Sequence, residues 1–109
     1  METEAALSIL AALAHPTRLS TFRLLVRHEP QGLSTGQLVE ESGLTQSTFS
    51  THLAVLVKAG LVVPEKRGRQ QIQRVSIDTL RGLMLFLARD CCQGRADLCE
   101  PLLAELACC

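Results

Sequence analysis

Residues Leu44 to Val62 read LTQSTFSTHLAVLVKAGLV, a stretch that predicts one helix with two different faces. The hydroxyl of Thr45 can accept a hydrogen bond from a backbone N–H at the helix start, and Gly60 can adopt the left-handed conformation that ends a helix. Apolar residues recur at helical spacing, so they form a single stripe that faces a core. These residues are Phe49, Leu53, Leu56 and Val57.

The opposite face of this helix carries short hydrogen-bonding side chains, one cation and no acid. Its residues are Gln46, Ser47, Ser50, Thr51 and Lys58. Such a face suits insertion between two phosphate backbones and contact with base edges. This pattern is typical of a DNA recognition helix, although on this stretch alone a plain surface helix is an equal alternative.

The residues before this helix predict a helix-turn-helix. Ser34 and Gln37 form a capping box for a short helix, Thr35 to Ser42, and Gly43 ends it. One residue then separates this helix from the cap of the next. A short helix, a tight glycine turn and a second helix with a polar outer face are typical of the helix-turn-helix.

After the recognition helix, the pattern changes from helical to alternating. Leu61 to Lys66 and Gln71 to Ile77 are predicted to be two strands joined by the turn residues RGRQ. The inner residues of the second strand are expected to be Ile72, Val75 and Ile77. The hairpin tip carries Lys66, Arg67 and Arg69. A basic hairpin here predicts a wing that lies along phosphates or in the minor groove, the alternative being an edge hairpin protected from aggregation by its charge.

Four further helices are predicted: Thr3 to Ala14, Pro16 to His28, Thr79 to about Asp90 with Asp78 as its cap, and a short helix from about Pro101. The first and the third of these are apolar around more of their circumference than one core needs. This surplus predicts a homodimer in which two recognition helices are spaced for successive major grooves.

Length and composition limit the class of protein. The 109 residues are expected to form one DNA-binding and dimerisation domain, and without Trp or Tyr its core must consist of Leu, Val and Ala. The predicted fold is mainly α (α+β), a winged helix-turn-helix with a two-stranded wing. No segment is long enough to cross a bilayer and the start does not resemble a signal peptide, so a cytoplasmic location without membrane contact is expected.

The total charge of the chain is zero, but the charge is unevenly distributed. Residues 1–43 and 82–109 each carry a net charge of −2, and residues 44–81 carry +4. The positive charge therefore coincides with the polar helix and the hairpin. A neutral total with one basic patch weakens non-specific affinity for double-stranded DNA but keeps a local footprint for it.

All five cysteines lie in the last nineteen positions: Cys91, Cys92, Cys99, Cys108 and Cys109. A secreted disulfide framework would spread them through the chain, so this cluster favours thiolate chemistry in a reducing compartment. No histidine lies between residues 90 and 99, which argues against a zinc site of mixed ligands. Three thiolates from Cys91, Cys92 and Cys99 suit a soft, three-coordinate ion such as As(III) or Sb(III).

Together these features resemble the ArsR/SmtB family of metal-sensing winged-helix repressors, and more narrowly its arsenic-responsive branch. The resemblance rests on ALAHPTRL at Ala12 to Leu19, GLTQSTFSTHL at Gly43 to Leu53, AGLV at Ala59 to Val62, and the basic wing. It implies a homodimer that binds a promoter and blocks transcription until an inducer releases it.

By position, the recognition helix and the wing match the DNA contacts of the family. With the neighbouring polar residues, the expected DNA-binding set is Gln46, Ser47, Thr48, Ser50, Thr51, His52, Lys66, Arg67 and Arg69. His52 is expected to pack beside this face or to contact a phosphate.

Two departures from the family narrow the inducer site. Many of its arsenic repressors have a Cys-Val-Cys motif at the start of the third helix, but residues 33–38 contain no cysteine. Its zinc sensors place ligands on the last helix, and aligned on Asp78 the other three positions are Leu80, Cys91 and Gly94. What remains resembles a variant branch in which Cys91, Cys92 and Cys99, at about residues 91–99, bind As(III).

Other roles for the thiols stay open. A redox switch would join Cys91 or Cys92 to Cys99 or to the tail, and a methylated arsenical needs only two thiolates, either Cys91 with Cys92 or Cys108 with Cys109. A different class is a small thiol-rich metal-binding protein without DNA function. An enzyme is not expected, because the chain lacks a C-x-x-C motif, a Gly-rich phosphate loop and a carboxylate pair.

Overall fold

The structure, a computed structural model, describes residues 1–91, 100–101 and 104–106. Within residues 1–91 the chain forms five helices and three strands. In chain order these are α1 (Thr3–Leu13), α2 (Pro16–Arg27), β1 (Leu33–Ser34), α3 (Thr35–Ser42), α4 (Gln46–Lys58), β2 (Val62–Arg67), β3 (Gln70–Val75) and α5 (Ile77–Cys91). No helix in the described ranges is both long and apolar enough to span a membrane.

The helix-turn-helix forms where the sequence predicts it, and its caps explain why. The Ser34 hydroxyl accepts from the Gln37 N–H, while the Gln37 side chain accepts from the Ser34 N–H, so the predicted capping box is confirmed. Gly43 ends α3 with φ of 70°, and the Thr45 hydroxyl caps α4 by accepting from the Thr48 N–H. These local bonds fix the angle between α3 and α4.

The end of α4 positions the first strand of the hairpin. Gly60 has φ of 82°, its N–H donates to the Val57 carbonyl, and the Leu61 N–H donates to the Leu56 carbonyl. This pair of bonds is a Schellman motif, which satisfies carbonyls at a helix end and reverses the chain. The chain then enters β2 at Val62.

The sheet differs from the predicted hairpin in having a third strand. Leu33 and Ser34 form β1, which pairs antiparallel with β3, and the strand order is β1-β3-β2. A strand of two residues is too short for an alternating pattern, so sequence periodicity does not reveal it. In the hairpin itself, Arg67 pairs with Gln70, so the turn is shorter than predicted.

The start of the last helix corrects two further expectations. The predicted strand from Gln71 to Ile77 stops at Val75, because Ile77 already belongs to α5. The predicted cap, Asp78, is wrong: the Ser76 hydroxyl accepts from the Thr79 N–H, and exposed Asp78 instead pairs with Arg81. Serine immediately before the first helical residue is the position from which a side chain reaches that donor.

The core lies where α4 meets α1, α2 and the sheet. The apolar stripe of α4 is buried at Phe49, Leu53 and Leu56, while Val57 is half-buried. The α1 and α5 helices each bury one side and leave another apolar side uncovered within the described part of this single chain. The uncovered residues are Leu7, Leu10, Met84, Leu85 and Leu87.

Candidate nucleic-acid interface

The outer face of α4 is polar, exposed and without acid. Every predicted contact on it except His52 is exposed: Gln46, Ser47, Thr48, Ser50 and Thr51, with Lys58 further along. Because no residue of α4 is acidic, nothing on this helix repels a phosphate backbone. The structure therefore brings the recognition-helix residues onto one accessible surface.

Hydrogen bonds within the helix divide these side chains into two groups. The Thr45 hydroxyl donates to the Thr48 hydroxyl over 3.0 Å, and the Thr51 hydroxyl donates to the Ser47 carbonyl over 3.2 Å. Within residues 1–91, the side chains of Gln46, Ser47 and Ser50 show no hydrogen-bond partner. Their donors and acceptors are available for phosphates or base edges.

His52 lies half-buried on the side of α4 that faces α1 and α2. Its Nδ1 lies 3.2 Å from Nη1 of Arg18, and its ring centroid lies 4.3 Å from that of His15. Arg18 also donates from Nε to the Ala12 carbonyl and from Nη2 to the Ala11 carbonyl. One guanidinium thus joins the last turn of α1 to the middle of α4, and His52 anchors the recognition helix. The sequence indicated packing for His52 but did not predict its contact with Arg18.

The surroundings of His52 disfavour its protonation. Burial lowers the pKa of His52 below 6.5, and the nearby charges of His15 and Arg18 lower it further. The neutral ring can accept the hydrogen bond from Arg18. A proton on the ring would remove that acceptor and place two cations together.

We expect folding stability to fall as pH decreases below about 6.5. In that range the unfolded chain binds a proton at His52 before the folded chain does, so acid favours unfolding. Urea unfolding at pH 7.5 and 5.5 measures the loss, which should be smaller in His52→Asn. His28→Asn, at an exposed position after α2, is the matched control and should lose as much as the wild type. Equal losses of unfolding free energy in all three proteins would contradict the assignment of this pH dependence to His52.

Two cations of the wing are exposed without a partner among the described residues, and a third is bonded to neighbouring residues. Lys66 and Arg69 are exposed at the hairpin tip and show no ion pair within the described ranges. Arg67 donates to the Gln31 carbonyl over 2.9 Å and pairs with Glu65 over 3.1 Å. The structure therefore leaves Lys66 and Arg69 accessible at the hairpin tip, whereas the hydrogen bond to Gln31 holds Arg67 against the loop before β1.

An ion-pair network fixes the base of the wing. Arg74 donates from Nε and Nη2 to the two carboxylate oxygens of Glu29, over 3.1 and 2.9 Å, and its Nη1 lies 3.7 Å from Glu65. The hydrogen bond to Glu29 is the main reason that the pKa of Arg74 is raised. A bidentate Arg–carboxylate pair fixes direction as well as distance. Glu29 and Arg74 are positioning residues, which no pattern in the sequence indicated.

A groove of about 330 Å³ separates α4 from the hairpin. Its walls include Ser50, Ala54 and Lys58 on the helix and Pro64 and Gln71 on the hairpin, and none of its lining residues is acidic. One side of the polar face of α4 and the strands of the hairpin thus line the same groove. The groove contains one cation, Lys58, and no acid, so its lining does not repel a phosphate.

The predicted inducer site lies mostly outside the described residues. Cys91 is the last residue of α5, and its backbone alone is described. Cys92, Cys99, Cys108 and Cys109 lie outside the described ranges. Among the residues that are described, no group of three His, Cys, Asp or Glu side chains could hold a metal ion.

Comparisons with known proteins agree with this geometry. Residues 13–65 match a family model described as a helix-turn-helix domain. The chain is 33% identical over 89 residues to the transcriptional activator HlyU of Vibrio cholerae, a match that spans 82% of this chain and 80% of that protein. It is 32% identical to a probable mercury resistance operon repressor of Streptomyces lividans, over 74% of this chain and 70% of the repressor.

Solved structures show the same fold. An ArsR-like transcriptional regulator from Rhodococcus sp. RHA1 superposes with a TM-score of 0.71 at 25% identity, covering 93% of this chain and 89% of that one. A possible transcriptional regulator for arsenical resistance superposes with a TM-score of 0.65 at 28% identity, covering 86% and 95% of the two chains.

Proposed function

The chain belongs to the ArsR/SmtB family of winged helix-turn-helix transcriptional regulators, and from this premise we propose that it represses transcription as a homodimer on operator DNA until As(III) or Sb(III) releases it. The family consists of DNA-binding regulators, not of enzymes. The observation that carries the DNA-binding part is the acid-free face of α4 beside the exposed cations of the wing, Lys66 and Arg69.

The uncovered apolar sides of α1 and α5 support the homodimer. Leu7 and Leu85 are 59% and 54% exposed, and Leu10 on α1 and Leu87 on α5 are exposed as well. Exposed apolar surface on two packed helices is stabilised when a second copy covers it. A two-fold axis through these helices would give two recognition helices for the two halves of a palindromic operator.

The donor set supports a thiophilic inducer. Cys91 ends α5, and Cys92 and Cys99 follow in the sequence, so three thiols begin at the end of a proposed dimer helix. Three thiolates fit a soft, three-coordinate ion. On binding, the three thiol protons would leave with the three hydroxides of arsenous or antimonous acid as water, and As(III) or Sb(III) would hold the three sulfurs together. The relatives named for mercury and arsenical resistance point to the same class of ligand.

Release of DNA requires that the inducer favour a dimer that binds DNA poorly. A coupling free energy of about 1 to 3 kcal/mol is typical of such regulators. The α5 helix packs on α1, and Arg18 joins the end of α1 to His52 of α4. This contiguous path would carry a change at Cys91 to the recognition helix, so Arg18 belongs to the proposed coupling.

Fluorescence anisotropy with duplexes selected from a random pool tests the proposal. The wild-type protein should enrich a palindromic duplex and release it when arsenite is added. Enrichment of no duplex would contradict DNA binding. If peroxide releases the DNA, dithiothreitol reverses that release and arsenite has no effect, the thiols form a redox switch and not a metalloid site.

The sign of regulation needs its own measurement, because one relative is named an activator and another a repressor. In transcription in vitro from a promoter that contains the selected duplex, the protein should lower the yield of transcript. A higher yield would assign activation.

A further inference from the structure

Thr51 occupies the middle of the outward face of α4. It lies two residues after buried Phe49 and two residues before buried Leu53, so the helical period places it on the side opposite to the core. Ser47 stands one turn before it on the same exposed face. Thr51 is therefore among the residues that would enter a major groove most deeply.

The hydroxyl of Thr51 has no free proton, although its oxygen can still accept. It donates its one proton to the Ser47 carbonyl over 3.2 Å, as threonine in a helix often does. The side chain has one other terminal group, a methyl. One turn further along, exposed Ala54 carries only a methyl group. The centre of this face therefore presents two methyl groups and no free hydroxyl proton, while Ser47 and Ser50 beside it keep unpaired hydroxyls.

We infer that the methyl group of Thr51, extended by that of Ala54, recognises the 5-methyl group of thymine in each half of the operator. Thymine is the base that presents a methyl group in the major groove, and threonine and alanine methyl groups are its usual partners. This inference rests on the proposed function and adds a base preference to it. It also changes the role of Thr51 from a hydrogen-bonding contact to an apolar one.

Replacing thymine with deoxyuridine tests the inference, because the exchange removes only the 5-methyl group. In the duplex selected by the wild-type protein, each thymine is replaced in turn, symmetrically in both half-sites, and the Kd is measured by anisotropy. One position is expected to weaken binding by about fourfold for each half-site, the scale of one buried methyl group. If no position changes the Kd, the inference is wrong.

Two substitutions identify the protein side of the contact. Thr51→Ser keeps the hydroxyl and removes the methyl, so it should abolish the preference for thymine over deoxyuridine at that position. Thr51→Val keeps a methyl and removes the hydroxyl, so the preference should persist whatever the absolute Kd. A preference that persists in Thr51→Ser, or is lost only in Thr51→Val, would overturn the inference.

The ratio of the two affinities is the readout, and equal urea unfolding midpoints for the two variants exclude a difference in folding. Failure of the wild type to enrich any duplex would instead contradict the DNA-binding proposal, and the inference with it. Enrichment without a thymine contact would contradict the inference alone.

Discussion

Replacing Ser47 with Asp should reduce the affinity for operator DNA by at least about a hundredfold, because a carboxylate would face the phosphates and base edges of the major groove. Ser47 is exposed in the first turn of α4, on a face that contains no acid. A negative charge in the first turn of a helix favours the helix itself. The variant should therefore stay folded while it loses DNA, which anisotropy and urea unfolding measure separately.

Ser20→Asp is the matched control for this experiment. Ser20 is exposed on α2, and the substitution changes the net charge of the protein by the same amount. A general electrostatic effect would weaken DNA binding equally in both variants. A large loss confined to Ser47→Asp would support the assignment of the recognition face, and equal losses would contradict it.

Replacing Gly32 with Ala should lower the free energy of unfolding by about 3 kcal/mol. Two costs add: an alanine in the left-handed conformation is strained, and its Cβ would overpack against a neighbouring strand. Gly32 has φ of 72°, and a Cβ there would lie 2.5 Å from the Gln73 carbonyl oxygen in β3. The clash is with backbone, so β1 and β3 would have to separate. Urea unfolding measures the change.

Gly43→Ala separates the strain from the clash. Gly43 has nearly the same φ, 70°, but a Cβ there would meet no atom within 4 Å. Its substitution should cost only the strain of a left-handed alanine, about 1 kcal/mol. If Gly32→Ala were no more destabilising than Gly43→Ala, the close approach of this loop to β3 would not limit stability.

The parts of the fold that depend on local bonds could be predicted from the sequence. The cap of α3 by Ser34 and Gln37, the turn at Gly43 and the apolar stripe of α4 each involve residues a few positions apart, so their spacing is visible in the chain. The helix-turn-helix followed from these features, and the wing followed from the alternating pattern and the turn residues after α4.

The parts that depend on distant residues could not be predicted. Strand β1 exists because residues 33 and 34 meet β3 some forty positions later, and a two-residue strand has no period of its own. The pairs Arg74–Glu29 and Arg18–His52 likewise join residues that are far apart in sequence. Gln73 illustrates the limit: it was not among the expected inner residues of the strand, yet it is buried, and its amide donates to the Thr35 hydroxyl.

The DNA-binding contacts and the inducer site are both predictions, but the first rests on the positions of described side chains and the second on sequence alone. The structure places the α4 and wing residues on one surface, with His52 and Arg67 in positioning contacts at its edges. The thiol site rests on the composition of the chain's end, since the side chains of Cys91, Cys92 and Cys99 are not described.

The most direct test is an arsenite titration of the preformed protein–DNA complex, with wild-type protein and with Cys91→Ser/Cys92→Ser/Cys99→Ser. Serine keeps the shape of each side chain but gives no thiolate. The variant should therefore bind DNA as tightly as the reduced wild-type protein does, and arsenite should not release it. Release of the wild type by arsenite, with full retention of DNA by the variant, is the predicted result. Release of both proteins at the same arsenite concentration would contradict the assignment of these three cysteines as the inducer site.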